Sequence, residues 1–140
     1  MPHRWAKLKG VEIFYREPFL AEFAAAMAAL GWAMIATAGH REVTDRPAYV
    51  MLGDIVTDAR FWEWSGIALG LMQIGMLLVN DRRSRRVACF LLSWWWLLLT
   101  MAIFHADPTT PGWWLFLVNA MVNLFSLARL APRYAHDGRP

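Results

Sequence analysis

Four apolar runs, each about as long as a bilayer's hydrocarbon core is thick, occupy most of this chain: residues 19–38, 61–80, 87–105 and 113–130. A helix rises about 1.5 Å per residue, so roughly 20 residues cross a core of about 30 Å. Lipid offers the backbone no hydrogen-bond partners, so a spanning segment must satisfy its own N–H and C=O groups by being helical. The runs are apolar all round rather than striped, which suits helices that face lipid. The expectation is an all-α integral membrane protein, a four-helix bundle forming a single domain over residues 1–140.

The chain is 58% hydrophobic with nine tryptophans, and its charges lie almost wholly outside the runs. A net charge of +3 does not point to nucleic acid, because the basic residues flank the spans in short groups. That pattern sets topology and suits anionic lipid headgroups, here at Arg82, Arg83, Arg85 and Arg86. Eleven Lys and Arg fall before span one, between spans two and three, and at the tail, against three on the other side. Both termini are therefore expected in the cytoplasm, in a bacterial inner membrane. Residues 1–18 read as a cytoplasmic interfacial segment and 131–140 as a cytoplasmic tail.

Short links at 81–86 and 106–112 predict spans two, three and four as sequential antiparallel neighbours. The long connection 39–60 contains a stretch, 47–56, that reads as a short helix on the outer face. Ala36-Thr37-Ala38 looks like a signal-peptidase site, but the apolar stretch before it exceeds a usual signal core, so the first span is expected to be retained. No internal repeat is evident, which weakens an inverted-repeat transporter.

Span one carries Ala21, Ala25, Ala29, Ala33 and Thr37 at every fourth position. Span two carries Gly66 and Gly70, with Gln73 a turn further on the same face. In lipid, helices associate through close backbone approach and interhelical hydrogen bonds, so both stripes read as packing faces, within one protomer or between copies. Span four places Asn119, Asn123 and Ser126 on one polar face, which reads as glue between helices or as the lining of a water path once copies assemble. Ser93 and Thr100 form a weaker matching face on span three.

Glu22 is the one acid clearly inside a span, one turn from its cytoplasmic end and within reach of Arg16 or headgroup water. Intramembrane carboxylates often serve ion coupling. Trp62, Trp64, Trp113 and Trp114 fit an outer aromatic belt. Trp94, Trp95 and Trp96 lie near mid-span and point about 100° apart, so at least one is expected to touch lipid or a partner while the rest fill the core.

Chemistry is sparse. Cys89 is the only cysteine, which excludes an intrachain disulfide or a thiolate cluster. His40 and His105 fall at outer span ends without ligand spacing, so no metal and no other cofactor is expected. No nucleophile–base pair or phosphate-cradling loop assembles, so the expected function is non-enzymatic.

The order Pro47-Ala-Tyr, Trp64, Gly70-Leu-Met-Gln73, Arg82–Arg86, Trp96-Leu-Leu-Leu-Thr100, Asp107-Pro-Thr-Thr and Asn119 to Leu130 resembles small four-span membrane proteins of tailed phages and prophages, over roughly residues 47–130. The resemblance implies a self-associating inner-membrane protein, either a holin-like lesion former or a factor that excludes competing phages. Two other classes stay open. One is an accessory subunit of a larger membrane complex, docking through the tryptophan-rich span. The other is a small ion-coupled transporter using Glu22.

Overall fold

The computed structural model describes residues 18–38, 47–56 and 58–131. The expected interfacial segment, the start of the long loop with His40, and the tail beyond Ala131 lie outside the described residues. Within them the chain is helical, with no strand: α1 (Phe19–Thr37), a 3₁₀ turn (Pro47–Tyr49), α2 (Val50–Ile55), α3 (Ala59–Val79), α4 (Arg82–Ala106) and α5 (Gly112–Leu130). Four of these helices are long and apolar enough to cross a membrane.

Local chemistry sets the helix ends. Asp58 starts α3 by accepting the Arg60 N–H at 3.0 Å. Asn80 stops it in the left-handed conformation (φ 56), which asparagine tolerates better than most residues. Asp81 then caps α4, accepting the backbone N–H of Ser84 at 2.8 Å and its hydroxyl at 2.6 Å. Those bonds, chiefly the Ser84 hydroxyl's, hold the Asp81 carboxyl below the usual aspartate range.

The turn between α3 and α4 is thus only Asn80 and Asp81. The arginine group expected in that link is instead the opening of α4, because the Asp81 cap lets the helix begin at Arg82. Its side chains therefore point in different directions around a helix.

At the far end of α4, Asp107 accepts from the Thr109 hydroxyl and backbone N–H at 2.6 and 2.9 Å and from the Thr110 hydroxyl at 2.6 Å. These bonds, led by the Thr109 hydroxyl, push its carboxyl down to about 2. The turn keeps this ionic support above the ordinary aspartate range and loses it as pH falls through about 2.

The core forms around α4, which packs most extensively on α5, while α1 packs on α3. Along α4 a continuous stripe is buried: Arg85, Cys89, Leu92, Trp96, Leu99 and Ile103. An aromatic chain crosses the core from Tyr49 through Trp32, Trp95 and Trp96 to Phe116, with neighbouring ring centres 4.9–5.9 Å apart.

Trp62 departs from the expected outer belt. It is buried, and its indole N–H donates to the Leu52 carbonyl at 3.1 Å, so it anchors α2 onto α3. A buried indole needs an acceptor, and the short helix brings one. Trp64 and Trp114 stay exposed.

Candidate functional site

The two small-residue stripes meet each other inside the chain. Ala25, Ala29 and Ala33 of α1 are buried, as are Gly66 and Gly70 of α3, while Ala21 is half-buried. A Cβ added at Gly66 would stand 2.8 Å from the Trp95 ring and 3.1 Å from the Ala33 Cβ. One added at Gly70 would stand 2.8 Å from Leu30 and 3.1 Å from the Ala26 carbonyl oxygen. The glycines are what let α1 and the Trp95 indole approach α3 this closely. Ser65, next to Gly66, accepts the Trp95 indole N–H at 2.9 Å and fixes the ring there. Apart from half-buried Ala21, these residues are packed within the protomer.

Near the end of the bundle formed by the start of α1 and the α3–α4 turn, Glu22 and Arg85 form a fully buried ion pair (0% and 1% exposed). The Arg85 Nε donates to one carboxylate oxygen at 3.0 Å and its Nη2 to the other at 2.9 Å. Its Nη1 donates to the Asn80 side-chain oxygen at 2.9 Å. All three guanidinium nitrogens are thereby used, in the side-on fork that suits a carboxylate.

Two expectations change here. Glu22 does not depend on headgroup water, and Arg85 is not a headgroup contact. Arg85 turns inward because it shares a face with Cys89 and Leu92, which pack into the core. Arg82 and Arg83 remain exposed, and Arg86 is half-buried.

A second polar cluster lies deeper. The Gln73 side-chain nitrogen donates to the Asn123 oxygen at 3.2 Å and lies 3.8 Å from the Cys89 sulfur. Asn123 in turn donates to the Asn119 backbone carbonyl at 2.9 Å. Gln73 and Asn123 are buried, and this bond ties α3 to α5 across the bundle. Nearby, Ser93 of α4 donates to the Ala120 carbonyl at 3.3 Å.

The expected polar face of α5 is therefore divided. Asn123 and Ser126 point into the core, and the Ser126 hydroxyl finds no partner among the described residues. Asn119 is half-buried and folds back onto the Leu115 carbonyl at 2.8 Å. Asn123→Leu is therefore expected to cost about 0.6–2 kcal/mol, the range for a lost interhelical hydrogen bond in a membrane. Asn119→Leu should be nearly neutral, because only a bond within its own helix disappears. Unfolding of both variants in mixed micelles separates the two cases, and equal losses would mean that the amides act as one face.

The tryptophan triplet divides in the same way. Trp95 and Trp96 are buried in the aromatic chain, whereas Trp94 is 54% exposed beside Phe90. Among the described residues no group of three or more His, Cys, Asp or Glu is placed to hold a metal ion. His105 lies exposed at the end of α4.

Fold and site together define a membrane-integral helical protein whose buried carboxylate and guanidinium neutralise each other within one chain. Compared with protein-family models, with curated proteins and with solved structures, the chain matches none.

Proposed function

We propose that this chain is a small, non-enzymatic protein of a bacterial inner membrane that acts by assembling with further copies, in the manner of phage-type lesion formers or phage-excluding factors. Both termini lie in the cytoplasm, and α3, α4 and α5 cross as antiparallel neighbours, in keeping with the arginine distribution and the short links.

The observation that carries the reading is the inward pairing of span polarity, Glu22 with Arg85 and Gln73 with Asn123. A single copy then offers lipid an apolar sheath, with Leu71, Leu78, Met101, Leu115, Val118 and Phe125 all more than half exposed. A water path, if the protein makes one, forms between copies and not through one. The same pairing speaks against ion coupling through Glu22, whose charge is already answered.

Induced expression in a bacterial host with a membrane-potential dye tests the reading. A lesion former is expected to hold the potential while it accumulates and then collapse it abruptly. A phage-excluding factor should leave the potential intact but block productive entry of a challenging phage. Neither effect at high membrane levels favours the accessory-subunit reading. That reading has its own support in the Trp94–Phe90 pair, exposed on the outer face of α4.

A further inference from the structure

Where the first turns of α4 run beside the last turns of α5, the surface opens into a cleft of about 560 Å³. Arg83 and Arg86 line it together with Val87, Phe90, Leu124 and Leu127. The Arg86 Nε is buried and has no hydrogen-bond acceptor among the described residues. A buried donor left unmade is costly, more so when it is charged.

The placement of these arginines is also locally unfavourable. The N-terminal end of a helix is its positive end, and like charges three or four residues apart repel. Glu22 compensates Arg85, but among the described residues no carboxylate lines the cleft beside Arg83 and Arg86. Asp81 accepts from Ser84 and answers part of the Arg83 charge, which leaves Arg86 the less compensated of the two.

We propose that the cleft binds an anionic phospholipid. Its phosphate meets Arg83 and Arg86, and its acyl chains lie along Val87, Phe90, Leu124 and Leu127 between α4 and α5. The juxtaposition of two cations with an apolar wall selects this occupant. A zwitterionic lipid brings its own cation against the arginines, and soluble phosphate gains nothing from the wall.

This inference rests on the membrane reading and not on self-association. Resistance of the protein to alkaline carbonate extraction tests the membrane reading separately.

The test uses the full chain in neutral detergent, titrated with phosphatidylglycerol, with phosphatidylcholine of the same chains, and with inorganic phosphate. Native mass spectrometry and melting temperature are the readouts. Phosphatidylglycerol should bind and raise the melting temperature, phosphatidylcholine much less so, and phosphate not at all.

Each basic residue near a membrane surface strengthens anionic-lipid binding about fivefold, so R83Q/R86Q should weaken it roughly 25-fold. Leu124→Trp narrows the cleft without touching a charge and should weaken it as well. Leu124 lies at the bundle surface and R83Q/R86Q removes a poorly matched charge, so melting in phosphatidylcholine should be unchanged or slightly raised. Phosphatidylglycerol binding that survives both variants overturns the proposal. So does native binding that fails to distinguish the two lipids, or a phosphate response equal to that of the lipid.

Discussion

Glu22→Met and Arg85→Met are each expected to destabilise the protein by about 3–5 kcal/mol, and the double variant to recover most of that loss. Either single change leaves a full charge enclosed by packed helices, because both side chains are buried. Removing Arg85 takes both bonds of the side-on fork from the buried carboxylate. Removing Glu22 takes two charged acceptors from the guanidinium, whose Nη1 keeps the neutral Asn80 oxygen at 2.9 Å. Replacing both removes the desolvation cost together with the attraction, and methionine is flexible enough to fill the space. Asn80 is exposed, so its freed oxygen can be hydrated.

Reversible unfolding of the four proteins in mixed micelles, followed by circular dichroism, gives the coupling energy directly. A double variant as unstable as the sum of the singles would show that the two groups are solvated separately. A conserved-charge exchange is a further check. Glu22→Arg with Arg85→Glu should remain well below native stability, since the side-on fork and the Asn80 bond depend on the guanidinium standing on α4.

Gly66→Ile and Gly70→Ile are expected to be the most damaging single changes on α3. The first atom of any side chain at Gly66 already falls 2.8 Å from the Trp95 ring, closer than nonbonded atoms approach. That ring cannot swing aside without breaking its bond to Ser65 and its edge contact with Trp32. At Gly70 the flexible Leu30 can yield, but the Ala26 carbonyl at 3.1 Å belongs to the backbone of α1, so the helices must part.

Overpacking of this kind costs about 1–3 kcal/mol, and a branched side chain should reach or exceed the upper end. Gly75 is the control. An added Cβ there meets nothing within 4 Å, so Gly75→Ala should be neutral or mildly stabilising. The loss at Gly66 and Gly70 should appear as lower stability of the single chain. Unchanged micelle unfolding together with a weakened oligomer would instead place the stripe between copies.

The four long helices were legible from the residues because lipid leaves the backbone no alternative. A run of about 20 apolar residues must satisfy its own hydrogen bonds, but α3 and α4 begin before the apolar runs at 61 and 87, at the caps Asp58 and Asp81. Helical periodicity also exposed the alanine stripe of α1 and the glycines of α3 as packing faces, since small residues recur there every fourth position. It marked Gln73 and Asn123 as residues needing partners, but their pairing with each other depends on how α3 and α5 are rotated.

Arg85 is the clearest case of what periodicity leaves open. It sits among four arginines of identical chemistry, and a charge count treats them alike. A signal was present: Arg85 lies four residues before Cys89 and seven before Leu92, and Glu22 lies three before Ala25 and seven before Ala29, so each acid or base continues a buried stripe. That spacing assigns each charge a face. It does not say that the two faces meet, 63 residues apart in the chain.

A helix needs only neighbours in sequence to form, whereas an ion pair between helices needs their relative rotation, tilt and depth. Those are set by the sum of many small contacts, here Gly66 against Trp95 and Ala33, Gly70 against Leu30, and Trp62 under Leu52. The chain's local pattern therefore determined four helices and their apolar faces, while tertiary packing alone decided that Arg85 turns inward to Glu22 as Arg82 and Arg83 stay at the surface.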